Sequence, residues 1–292
     1  MTRLRLGLAG GFIPRDATEL TPEWAQHLVD LGVRAIVAHF FGNPPETIPG
    51  ALARQVRTVL AGAGLHLSQV TGYNPNMVHP DDSLREEELA RLRRALHAAA
   101  ALGADMVISG CGSLHPGFFY GPAAANHLPE TRERLIDSLR RAAAWAAEEG
   151  VTLAMECHVL TTLDTPENIR AVLDAVDSPW VVANFDPVNL IGSLPALYAN
   201  DRTTLHAWQT GGQRWSRRSM HVKDILPQPA FVMHFDEVPP GSGLLDYAAV
   251  FSICRQLDEG AAVIVEHLED AQVPAALEWV KKAAEQHGIV FM

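Results

Sequence analysis

The chain has 292 residues, of which 48% are hydrophobic and 20% charged, and a formal net charge of −11. This composition supports a large core and excludes a disordered chain, and the acidic balance argues against a protein that grips phosphate backbones, so no nucleic-acid partner is expected. Three scattered cysteines, Cys111, Cys157 and Cys254, make no disulfide framework and fit reduced thiols in a cytoplasmic protein.

Arg3 and Arg5 precede an apolar stretch, 6–13, that is too short for the core of a signal peptide. No run approaches the roughly 20 apolar residues that cross a bilayer, so no membrane partner is expected either. In chain order, apolar runs at 4–9, 34–38, 65–71, 105–109, 151–156, 181–186, 220–222 and 261–266 predict strands. Each is followed by a polar or Gly-rich turn and then by a helical stretch. Recurrence every roughly 30 to 45 residues is the spacing of strand–helix units, and near-continuous apolar strands predict a parallel sheet covered on its outer face.

Helix signals fit the same scheme. Thr21-Pro22-Glu23 places a capping hydroxyl before a first-turn proline, and Thr165-Pro166-Glu167 does the same for a helix that ends before Asp177-Ser178-Pro179. Asp82 or Ser83 opens a long helix through Arg94, with Gly103 as its stop. Gly32, Gly64, Gly150 and Gly260 also stand just ahead of apolar strands. Gly10-Gly11 is a poor match to the Gly-rich turn of an open dinucleotide-binding sheet. The fold predicted is α/β, a single (β/α)8 TIM barrel forming one domain over residues 1–292.

The ends of the last four strands carry the chemistry. They read Leu-Ala-Met-Glu156-Cys-His158, Ala-Asn-Phe-Asp186-Pro-Val-Asn189, Ser-Met-His221-Val-Lys223-Asp224 and Val-Ile-Val-Glu266-His267. A lone acid at a strand end is usually a cap or an ion-pair partner. Four metal-capable groups at matching places are a pattern. Alternation puts Thr152, Ala154 and Glu156 on one face, as it does Val182, Asn184 and Asp186, and Ala262, Ile264 and Glu266. If these faces point into the barrel, the carboxylates and His221 meet at its mouth. Three carboxylates cannot converge there without a cation. The set Glu156, Asp186, His221 and Glu266 suits one divalent ion, Mn²⁺ first, with Mg²⁺, Co²⁺ and Zn²⁺ as alternatives.

At these residues the chain resembles the xylose-isomerase-like barrels, the sugar phosphate isomerase/epimerase superfamily. The matches are the Glu156 strand end, Asn184-Phe185-Asp186-Pro187-Val188-Asn189-Leu190, Met220-His221-Val222-Lys223-Asp224, Pro239-Pro240-Gly241-Ser242-Gly243-Leu244-Leu245-Asp246-Tyr247 and Ile264-Val265-Glu266-His267-Leu268. The resemblance implies a metal held by Glu156, Asp186, His221 and Glu266. It also implies that Glu156 and Glu266 are the catalytic pair, exchanging a proton on opposite faces of a sugar carbon through an enediolate. Asn189 stands where the ketose 3-epimerases of the family carry a His. Lys223 is the cation near the strand-seven His, where those enzymes have an Arg. The substrate-binding set therefore differs from theirs.

Further substrate contacts are expected from His158 and Lys223, which share the parity of Glu156 and His221, and from Asn189. Lys223 has a second reading, as a partner of Asp224. His115 is a further candidate, in the Gly-rich turn Ser109-Gly110-Cys111-Gly112-Ser113-Leu114-His115. Trp24, Phe40, Phe41 and Tyr73 are read as an apolar wall or as core. The polar segment 200–217, with Trp208 and Trp215, is read as a helix and loop, a lid, or a contact within a homo-oligomer. The leading function is metal-dependent isomerisation or epimerisation of a small carbohydrate, meaning a sugar, keto-sugar or polyol. A lyase of the inosose dehydratase type is the alternative. An endonuclease IV-like phosphodiesterase would want more histidines and a basic groove, and a non-catalytic sugar-binding barrel would most simply have lost a ligand.

Overall fold

A computed structural model describes residues 1–39, 48–199, 205 and 214–292. Eight parallel strands close into a barrel: β1 (Thr2–Gly10), β2 (Ala35–His39), β3 (His66–Thr71), β4 (Met106–Ser109), β5 (Thr152–Glu156), β6 (Val181–Phe185), β7 (Trp215–Val222) and β10 (Ala262–Leu268). Each strand pairs with the next, and β10 pairs with β1 to complete the ring. The described helices are α1 (Pro22–Asp30), α2 (Gly50–Ala63), α3 (Asp82–Leu102), α4 (Pro129–Glu149), α5 (Pro166–Val176), α6 (Leu194–Tyr198), α7 (Tyr247–Cys254) and α8 (Val273–Gln286). The (β/α)8 expectation holds.

The local signals explain the elements. Thr21 and Thr165 each accept a backbone N–H from the third residue along, with proline in the first turn of α1 and α5. The cap of α3 is Asp81, one residue ahead of the expected opening, and its carboxylate takes the N–H groups of Ser83 and Leu84. Gly103 and Gly150 close α3 and α4 in the left-handed conformation, which needs no Cβ.

Three strands were not read in the sequence. β11 (Ile289–Phe291) pairs beside the start of β1, and β8 (Asp224–Pro227) with β9 (Phe235–Val238) forms an antiparallel hairpin after β7. β7 also starts earlier than residue 220. Trp215, expected within the polar segment, is buried and pairs with Ala183. The rest of that segment up to residue 213, apart from Leu205, lies outside the described residues, as do Phe40 and Phe41.

The parity expectation also holds. Leu153, Met155, Val181, Phe185, Val263 and Val265 belong to the large cluster between sheet and helices. Ala154 and Val182 pack with Met106, and Ala262 and Ile264 pack with Ala9, Ala35 and Val37, inside the ring. Space beside Gly7 is limited by the Ile264 side chain. A Cβ on Gly7 would lie 2.4 Å from Ile264 Cδ1 and 3.4 Å from two backbone oxygens. Gly7→Val should therefore destabilise the fold by about 1–3 kcal/mol through overpacking. The urea midpoint should fall with an unchanged slope; an unchanged midpoint would mean that the interior has room to spare.

Candidate active site

β5, β6, β7 and β10 deliver Glu156, Asp186, His221 and Glu266 to one point at the C-terminal mouth of the barrel. One donor atom from each lies within 4.8 Å of all the others. Strand alternation explains the meeting, because each side chain continues the inward face of its own strand. Glu156, His221 and Glu266 line a cavity of about 100 Å³ together with His39, Thr71 and His267.

The orientation of His221 is set from across the barrel. Gln69 of β3 donates its amide N–H to Asn184 Oδ1 at 3.2 Å and to Ser219 Oγ at 2.7 Å, which leaves Oε1 as the acceptor for His221 Nε2 at 2.9 Å. Nδ1 then faces Glu266 Oε2 at 2.7 Å. Two lone pairs at that distance repel unless a proton or a cation lies between them. Burial disfavours the imidazolium, but Glu266, Asp186 and Glu156 outweigh it and hold the His221 pKa above its ordinary value.

Lys223 brings a positive charge to the same cluster. Its ammonium, 1% exposed, lies 2.9 Å from both Asp186 Oδ2 and Glu266 Oε1 and 3.0 Å from Glu237 Oε1. Burial raises the Asp186 carboxyl to about 6 against the pull of Lys223. Burial acts on Glu266 in the same sense, yet His221 and Lys223 together hold it well below the carboxylate range. Glu266 faces His221, Lys223 and, at 3.9 Å, His267, whereas Asp186 contacts Lys223. Asp186 Oδ2, His221 Nδ1 and Glu266 Oε1 are buried without a hydrogen bond. Their close contacts are charge contacts, and a cluster of this composition can bind a metal ion.

Asp224 is not the partner of Lys223 in the described contacts. Its carboxylate accepts the N–H groups of Ile225 and Leu245 on Oδ1 and of Gly241 and Gly243 on Oδ2, pinning the turn after the hairpin. Asn189 Nδ2 lies 3.5 Å from Glu156 Oε1. It lines, with His158 and Glu237, a second cavity of about 440 Å³. His115 sits apart, half-buried, with Nδ1 accepting the Gly117 N–H and its ring against Gly121. Trp24 and Tyr73 pack with the outer core rather than walling the described cavities.

Four contributors escaped the sequence reading. Tyr120 Oη donates to Glu156 Oε2 at 2.6 Å from a loop with no motif, and Gln69 stands in an ordinary apolar run. Glu237 arrives on the unforeseen hairpin. His267 follows Glu266 directly, so alternation would turn it away, but a φ of +57° brings it back to the cavity. There Nδ1 meets Glu237 Oε2 at 2.6 Å, and this bond raises the His267 pKa to about 9.

Removing the central ammonium should expose the repulsion it holds down. Lys223→Met should lower stability by about 3–5 kcal/mol in chelator-treated buffer, the scale for stripping one partner from a buried ionic group. A denaturation midpoint equal to that of the wild type would show that the carboxylates do not depend on this cation.

The profile of the family described as xylose isomerase-like TIM barrel matches residues 25–283. L-ribulose-5-phosphate 3-epimerase of Shigella flexneri serotype 5b (strain 8401) is 27% identical over 220 residues, covering 73% of this chain and 70% of that one. A xylose isomerase-like TIM barrel protein from Mycobacterium smegmatis, solved in complex with magnesium, matches at a TM-score of 0.71 and 18% identity over 97% of each chain. D-psicose 3-epimerase from Clostridium cellulolyticum H10, solved with D-tagatose, matches at 0.72 and 14% identity over 97% of this chain and 99% of that one. At such identities the two structures show a common fold. The profile takes in seven of the eight barrel strands and all four converging residues, and the chain belongs to the xylose isomerase-like TIM barrel family.

Proposed function

We propose that the protein is a metal-dependent isomerase or epimerase of a sugar, keto-sugar or polyol, acting by proton transfer through an enediolate. The observation that carries this reading is the convergence of two glutamates, an aspartate and a histidine at the barrel mouth, where the glutamates and the histidine line one cavity. Two of the similar proteins bear the names of sugar 3-epimerases, which supports the same reaction class.

The donor set fits a divalent ion. One imidazole and three carboxylates, with donor atoms within 4.8 Å of one another, make a hard to borderline site. Glu156, Asp186, His221 and Glu266 would hold the ion, with Mn²⁺ the first choice over Mg²⁺, Co²⁺ and Zn²⁺. When bound, it polarises a substrate carbonyl and stabilises the negative charge that develops there.

The chain's own residues account for the proton. Glu156 and Glu266 stand on β5 and β10, with β6 and β7 between them around the ring, so the two carboxylates flank the cavity. One removes the proton from the carbon beside the carbonyl and the other returns a proton from the far side, which inverts that centre. Tyr120 and Asn189 hold Glu156 in place. Burial and the nearby Glu156 keep the Tyr120 phenol well above its usual pKa, so it remains a donor. Lys223 orients Glu266 and Asp186, and His158 and Asn189, which line the larger cavity, are assigned to substrate hydroxyls. His115, whose Nδ1 accepts the Gly117 N–H, lines neither described cavity.

Two measurements test the reading. Chelator-stripped protein reloaded with Mn²⁺ should hold one ion per chain, and Asp186→Asn and His221→Ala should lose most of that binding. Undiminished affinity in both variants would remove those residues from the ligand set. A screen of ketoses, inososes and keto-sugars in deuterated water should then give a product of unchanged skeleton carrying solvent label, whereas loss of one water identifies a dehydratase. Glu156→Gln and Glu266→Gln should each cut turnover by about 10²–10⁴-fold, the scale of a positioned acid–base group. Full activity in both variants, or direct carbon-to-carbon transfer of substrate deuterium, would defeat the two-glutamate mechanism.

A further inference from the structure

The face on which the four residues converge is built from the segments that leave the C-terminal ends of the barrel strands. Among the described residues these are 11–21, 48–49, 72–81, 110–128, 157–165, 186–193, 223–246 and 269–272. Of the chain's 23 Lys and Arg residues they contain only Arg15 and Lys223. Lys223 is buried and touches three carboxylates. Arg15 is exposed and lines neither described cavity.

Backbone N–H groups are the other means by which a barrel holds phosphate, above all in the turns after its late strands. Here the chain fills that cradle with its own anion. Gly241, Gly243 and Leu245 direct their N–H groups to Asp224, which also takes that of Ile225. The fit is close, since a Cβ on Gly243 would lie 2.4 Å from Asp224 Oδ1. In the Gly-rich turn after β4, the N–H groups of Leu114 and His115 are committed to Asn126 Oδ1 and Ser113 Oγ. The cavity of about 440 Å³ beyond Asn189 has an apolar wall of Val159, Leu160, Ile191, Ile225 and Met233, with His158 and His234 also on its lining and Glu237 as its acid. A phosphate dianion there would meet the Glu237 carboxylate and no Lys or Arg side chain among the lining residues.

We propose that the site takes an uncharged keto-sugar and rejects its phosphate ester, with the end remote from the reacting carbons lying on this apolar wall. The assignment rests on the isomerase reading above. It is tested on the manganese-loaded protein with matched pairs, L-ribulose with L-ribulose 5-phosphate and D-fructose with D-fructose 6-phosphate, read by turnover and by calorimetric binding. The free sugar of a pair should be favoured by about tenfold or more in kcat/KM or affinity, the result of like-charge rejection. Millimolar inorganic phosphate should not compete with it. Met233→Lys adds a cation at a position on the cavity wall that is 50% exposed. It should narrow the ratio, and a ratio unmoved by the new charge would overturn the electrostatic basis of the assignment. Preference for the ester, or competition by inorganic phosphate, overturns the assignment and leaves the isomerase reading standing. Failure of both members of every pair to bind or turn over, in protein that still holds its ion, overturns the isomerase reading and this assignment with it.

Discussion

Three carboxylates meet at the mouth of this barrel, and two of them, Asp186 and Glu266, are almost wholly removed from water. Charge of one sign concentrated in a poorly screened space is costly, so the surrounding structure has to supply the opposite sign. It does so by more than one route. Lys223 touches Asp186 and Glu266, and His221 faces Glu266 with a raised affinity for a proton. The exposed acids elsewhere on the chain need no such arrangement, because solvent screens them.

The neighbouring architecture serves this balance. β7 must turn both His221 and Lys223 inward, which directs Asp224 to the other side, where it gathers backbone donors and fixes the following turn. That turn sits at the base of the β8–β9 hairpin, and the hairpin carries Glu237 to Lys223 and His267. Gln69, from the far wall, sets which imidazole nitrogen of His221 faces the cluster. Below this layer the ring is filled by Ala9, Ala35, Val37 and Ile264 on one side and by Met106, Ala154 and Val182 on the other, while polar groups occupy the mouth.

The distribution of cations gives the site its chemical character. The helices carry most of the Lys and Arg residues, whereas the segments above the barrel carry almost none. The proposed assignment to an uncharged sugar rests on this distribution, together with a turn whose backbone donors are taken by Asp224.

The sequence alone determined the repeating strand–helix order, the inward parity of Glu156, Asp186 and Glu266, and the caps at Thr21 and Thr165. These depend on neighbours a few residues apart: alternation along a strand, a hydroxyl three residues from an N–H, and the spacing of apolar runs. It also pointed to Lys223 and Asn189 near the cluster, by the same short-range rules. The tertiary structure alone decided what charge faces what. That Lys223 stands among Asp186, Glu237 and Glu266 rather than beside Asp224, that Gln69 orients His221 from across the ring, and that Tyr120 reaches Glu156 are contacts between different segments of the chain. The hairpin at 224–238 and the left-handed turn at His267 break the alternation on which the sequence reading relied. Local pattern fixes the direction of a side chain relative to its own strand, but closure of the barrel fixes which side chains share a point in space, and the electrostatics of the site follow from that closure.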